Sequence, residues 1–168
     1  MLARTPGLVR QVAEQMPESL VRVRSGPFAL VEHVWHMADL EREGFAQRVR
    51  RLLAEDHPFL PDFDGERVAR DREYLKADLA AGLSAFAAAR EETLRLLRGV
   101  PPGDWQRSGE QEGVGVVALA DLPPRILDHD RAHFNEIADL LADLLPAHPL
   151  LPGLREAARG GPKSSKAA

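Results

Sequence analysis

The stretch from His129 to Ile137 reads HDRAHFNEI. Its two histidines are four residues apart. Phe134 and Ile137 belong to an apolar series that begins at Ile126 and Leu127 and runs on through Leu140, Leu141 and Leu144. Apolar residues at this spacing make one face of an amphipathic helix. At about 100° per residue, His129 and His133 lie at the edge of that face, one turn apart, and Glu136 continues their line. Two imidazoles stacked in this way can present nitrogens to a single point, as a divalent transition metal requires. A third ligand must come from elsewhere, and His33 and His36 stand on another predicted helix. Taken alone, a histidine pair at this spacing is more often an ordinary surface or core pair than a metal site.

Working outward, the pattern predicts three more helices. Leu8, Val9, Val12, Ala13 and Met16 recur at helical spacing over about residues 5 to 16, and Pro17 interrupts them. Ser25-Gly26-Pro27 is a start signal for a second helix over about 27 to 55, closed by His57-Pro58. A third helix is expected over about 66 to 98, with Leu75, Leu79, Leu83, Phe86, Leu94 and Leu97 in one stripe and Arg90 on the same side. The fourth, about 122 to 145, is capped by Asp121 and stopped by Pro146. The glycine-rich segment 108 to 117 reads as an irregular crossing. The scarcity of β-branched runs and of alternation argues against a sheet. The expected fold class is therefore all-α.

On an ideal wheel the second helix presents a conflict. Its later half buries Phe45, Val49 and Leu52, and His36 points away from that stripe, although residues 28 to 40 are apolar almost all round. Geometry alone leaves His33 and His36 both open as the third ligand.

Composition limits the function classes. The 168 residues suit one domain; 44% are hydrophobic and 29% charged, so a packed core is expected. No cysteine is present, which removes disulfides, thiolate ligands and cysteine nucleophiles and fits a cytoplasmic location. A net charge of −4 gives no reason to expect a nucleic-acid partner. No apolar run reaches membrane-spanning length or forms a signal-peptide core, so no membrane partner is expected. Paired Glu-x-x-His elements, a His-Glu-x-x-His helix, a phosphate loop and a Gly-x-Ser-x-Gly elbow are all missing.

The segment Glu32 to Glu41 (EHVWHMADLE), the downstream Trp105-Gln106-Arg107, and HDRAHFNEI resemble the DinB/YfiT-like superfamily in order and spacing over about residues 5 to 145. The resemblance implies a four-helix bundle with a long crossover connection, often a homodimer. The expected domain spans 1 to 152, and the glycine-rich end Gly160 to Ala168 (GGPKSSKAA) belongs to an expected flexible tail over 153 to 168. The resemblance also implies one divalent metal, nickel or zinc, on His36, His129 and His133, with His33 at a position that has no fixed ligand. The activities it implies are those of metal-dependent hydrolases and of transferases that use a low-molecular-weight thiol, each acting on a small molecule; many members have no known activity, and a non-catalytic metal-binding or interaction module on the same fold is the alternative. Three neutral histidines leave a coordination position open and can lower the pKa of water from about 15.7 towards about 7. Glu136 and Asp39 are the candidate catalytic carboxylates. Asp130 and Arg90 read as an ion pair between helices, or as an orienter of a histidine and an anchor for a substrate anion. His57 and His148 precede prolines in loops and read as bystanders; Trp35 and Trp105 read as core.

Overall fold

The computed structural model describes residues 1–159. Helix α1 is Thr5–Gln15. A long rod follows, made of α2 (Leu30–Asp39), a π-helical turn (Leu40–Phe45) and α3 (Ala46–Ala54). A connection carries the short helix α4 (Gly65–Asp71). Then come α5 (Leu79–Arg98), a second long connection, α6 (Leu122–Leu144) and α7 (Leu151–Arg159). The bundle consists of α1, the α2–α3 rod, α5 and α6, and the fold is the four-helix bundle that the sequence leads one to expect.

The rod starts at Leu30, not at Pro27, because Glu32 reaches back and accepts a hydrogen bond from the Ala29 backbone N–H at 2.9 Å. Its π turn resolves the conflict on the ideal wheel. One residue inserted into an α-helix rotates everything beyond it by about 100°. His36 before the turn, Phe45 at its end and Val49 and Leu52 after it therefore all serve the bundle side; these three apolar residues are buried.

Three expectations need correction. The third predicted helix is two helices. Glu73 sits in the left-handed region at φ 50°, and Asp78 caps α5 by accepting from the Ala81 N–H, so the chain restarts after residue 78. The glycine-rich crossing is a hairpin, β2 (Ser108–Gln111) with β3 (Gly115–Ala118), turned by Gly113 at φ 71° and Gly115 at φ 97°. Parallel pairing of β1 (Phe59–Leu60) with β2 joins the two long connections in one small sheet. The expected boundary at residue 152 falls inside α7, whose Leu154 and Ala158 are buried against the core; the rest of the expected tail, 160 to 168, lies outside the described residues.

Two apolar clusters fill the molecule, one holding Met37, Phe86, Phe134 and Ile137, the other Phe45, Val49, Leu52 and Ile126. Between Ile126 and Phe134 on α6 stand His129, Asp130 and His133, so a polar layer separates the clusters. Its structural half is a buried charge network. Arg90 of α5 donates to both carboxylate oxygens of Asp130 at 2.8 Å, to Glu41 of the π turn at 2.9 Å and to the Leu2 carbonyl at 2.9 Å. Thr5 of α1 donates to Asp130 at 2.7 Å. All four bundle helices meet there, which gives Arg90 and Asp130 the ion-pair role between helices. Arg90→Met would leave Asp130 and Glu41 buried without their cation. Urea unfolding should then show a loss of about 3–5 kcal/mol. Among the described residues no helix is long and apolar enough to cross a membrane.

Candidate metal centre

The histidine half of the polar layer is built from α2 and α6. Histidines 33 and 36 are one turn apart on α2, and 129 and 133 one turn apart on α6, so the two pairs face each other along the contact between these helices. The Nε2 atoms of His36 and His129 are 3.2 Å apart, and those of His133 and His129 are 3.0 Å apart. Ligand atoms of all three residues lie within 4.8 Å of one another.

These spacings suit a shared cation. Bonds of about 2.0–2.1 Å to a divalent metal put imidazole nitrogens about 2.9 Å apart at right angles and about 3.3 Å apart at the tetrahedral angle. Without a cation the arrangement is poorly satisfied. A neutral imidazole nitrogen carries either one proton or one lone pair, so a single proton on His129 Nε2 would have to serve two neighbouring lone pairs. A divalent ion satisfies all three nitrogens at once.

Electrostatics favour the neutral form of His36 and His129. Burial pushes His129 down to about 2, aided by His133, His36 and the Arg90 guanidinium. Burial likewise pushes His36 down to about 4 and His33 down to about 3, with His133 adding to both. Apolar rings enclose the cluster: Phe28 and Phe63 lie 5.5 and 6.0 Å from the His36 ring, and Phe45 lies 5.8 Å from His129.

Glu136 holds the far side of His133. Its Oε2 is 3.0 Å from His133 Nδ1, and this hydrogen bond keeps the Glu136 carboxyl below the usual carboxylate range. A carboxylate accepting from Nδ1–H fixes the tautomer that leaves the Nε2 lone pair free. The other candidate carboxylate is placed differently. Asp39 is buried and committed to Arg42, Arg72 and the Tyr74 hydroxyl, so it does not face the histidine nitrogens. Asp130 is committed to Arg90 and Thr5, with no hydrogen bond to a histidine. His57 and His148 stand in loops outside the cluster.

Gly65 is a site residue that sequence reasoning missed. A Cβ there would lie 2.4 Å from His36 Cε1 and 2.7 Å from Nδ1, so only glycine lets α4 close on that ring. Nothing in local spacing signals this, because the contact joins residues far apart in the chain. A cleft of about 620 Å³ opens over the cluster, with His36, His133, Glu136 and Gly65 in its wall and Arg24 and Arg70 among the charged residues lining it.

Comparison with known proteins agrees with this architecture. A family model described as the DinB superfamily matches residues 1–137. Among solved structures, the chain is similar to YfiT from Bacillus subtilis, described as a probable metal-dependent hydrolase with an unusual four-helix bundle topology. The TM-score is 0.77 at 20% identity, covering 85% of this chain and 83% of that one. At this identity the likeness carries the fold. No curated protein matches the sequence.

Proposed function

The chain belongs to the DinB superfamily, and from that premise we propose that it is a metal-dependent hydrolase of a small molecule, with a divalent ion held by His36, His129 and His133. The observation that carries this reading is the convergence of three part-buried Nε2 atoms beside an open cleft. Three imidazole nitrogens suit zinc or nickel. Such an ion supplies Lewis acidity and an open position for water or substrate.

The chain's own residues do the rest. Glu136 orients His133, and Gly65 lets α4 close against His36. The phenylalanine rings cover part of the imidazoles, which lowers the local dielectric and strengthens charge interactions at the cleft floor. Glu136 is better suited to orientation than to general-base work. A carboxyl held below its ordinary range is a weak base at neutral pH.

The test is turnover of activated esters and amides by zinc- or nickel-loaded protein. The expected result is hydrolysis that needs no added thiol and is lost in His36→Ala. Turnover only when a low-molecular-weight thiol is supplied would replace hydrolysis with thiol transfer at the same centre. Metal bound with neither activity would leave a binding module.

A further inference from the structure

We propose that His33 is a positioning residue of this centre, holding His133 through its second ring nitrogen and so aiming His133 Nε2 at the ion. The inference rests on the reading of His36, His129 and His133 as ligands.

His33 is almost fully buried, one turn before His36 on α2. Its Nδ1 lies 3.0 Å from His133 Nδ1. The Oε2 of Glu136 is 3.0 Å from that same His133 atom and 3.6 Å from His33 Nδ1. Three polar atoms thus form a second tight triangle behind the first. Either a second cation or a single shared proton can fill it. A second cation would require His133 to ligate through both ring nitrogens, and so to give up both ring protons. The shared proton needs only a neutral imidazole, and, unlike the triangle of three neutral imidazoles, this one includes a carboxylate whose charge strengthens the bond.

The carboxylate decides where that proton sits. An ionised carboxylate only accepts, so the nitrogen 3.0 Å from Glu136 must carry hydrogen. His133 is then protonated on Nδ1, with its Nε2 lone pair directed at His129 and His36. His33 Nδ1 faces this N–H and accepts from it, which places the His33 proton on Nε2.

The two acceptors are unequal. The Glu136 side chain is 40% exposed and lines the cleft, where water can draw it away. His33 is 1% exposed, and Phe28 meets its ring edge to face at 5.5 Å. His33 is therefore the fixed half of the cradle. Outer partners of this kind change metal affinity by about 10- to 100-fold.

The test uses the full chain with 15N-labelled histidine, with and without zinc. Two-bond 15N–1H correlations read each tautomer, and chelator competition reads zinc affinity and stoichiometry. His33→Leu keeps bulk without an acceptor; His33→Gln restores one. The expected result is His133 protonated on Nδ1 and His33 on Nε2 in both states. One zinc should bind per chain, with affinity about 10- to 100-fold weaker in His33→Leu and largely recovered in His33→Gln. A proton on His33 Nδ1 overturns the proposal, as does wild-type affinity in His33→Leu. Two zinc ions per chain, falling to one in His33→Leu, would mean a second metal site instead. If wild-type protein binds no zinc, the ligand reading fails, while the tautomers of the metal-free chain still decide the role of His33.

Discussion

Protein carrying His129→Ala is expected to purify without stoichiometric divalent metal while keeping its helical circular dichroism. Of the three nitrogens, His129 Nε2 is the one within 3.2 Å of each of the others. Removing it leaves two ligands on opposite helices with no third to close the set. The loss should exceed the roughly 10- to 100-fold that follows from losing an outer-shell partner. The fold should survive, because alanine has the higher helix propensity. The substitution also removes a part-buried group whose charged and imidazole neighbours oppose its protonation. Elemental analysis of wild-type and variant protein, purified side by side, checks this. Metal content equal in the two would remove His129 from the ligand set.

The second large effect is acid sensitivity of the metal-free fold. His33, His36 and His129 are held near 3, 4 and 2, against an ordinary value of 6.5, chiefly by burial. Between 6.5 and those values the unfolded chain binds more protons than the folded one, so stability rises with pH across that window. It is fully present above about 6.5 and is lost as pH falls towards 2–4. Each such histidine accounts for about 1 kcal/mol between pH 7.5 and 5.5, on the order of one pKa unit each, so the three together are expected to cost a few kcal/mol. That is a large share of the roughly 5–15 kcal/mol that stabilises a domain. Urea unfolding with a chelator present should show the difference, and equal stability at the two pH values would contradict burial of neutral imidazoles. Metal should be released over the same range, since protons compete for the ligand nitrogens.

Much of the site was legible because α6 obeys a single period throughout. Ile126, Phe134 and Ile137 fix its buried face, and His129, His133 and Glu136 follow from that face without any tertiary information. The rod was legible only in halves. Its apolar stripe changes phase between His36 and Phe45, and a wheel with one fixed period reads that change as His36 facing away. The phase conflict was itself the signal of the π turn, and Gly44 lies within it, where a Cβ would come 2.4 Å from Leu40 Cδ1. The break before α5 was obscured by Leu75 and Leu79, which keep helical spacing across a segment whose real punctuation is Asp78. The hairpin escaped because its pairing with Phe59 and Leu60 is long-range and its alternation is only four residues deep. Helix α7 was signalled by the spacing of Leu150, Leu151, Leu154 and Ala158, a short pattern outweighed by the glycine-rich end that follows. His33 and Gly65 owe their places to neighbours about 100 and 30 residues away, which one-dimensional spacing does not reveal.

The central claim is that one divalent ion sits on the Nε2 atoms of His36, His129 and His133. X-ray absorption spectroscopy at the zinc edge of the one-to-one loaded wild-type chain addresses it directly. The account predicts three imidazole ligands at about 2.0–2.1 Å, with the remaining coordination filled by a light atom from solvent. A shell with fewer than three imidazoles, or one completed by protein ligands with no position left for solvent, would contradict it.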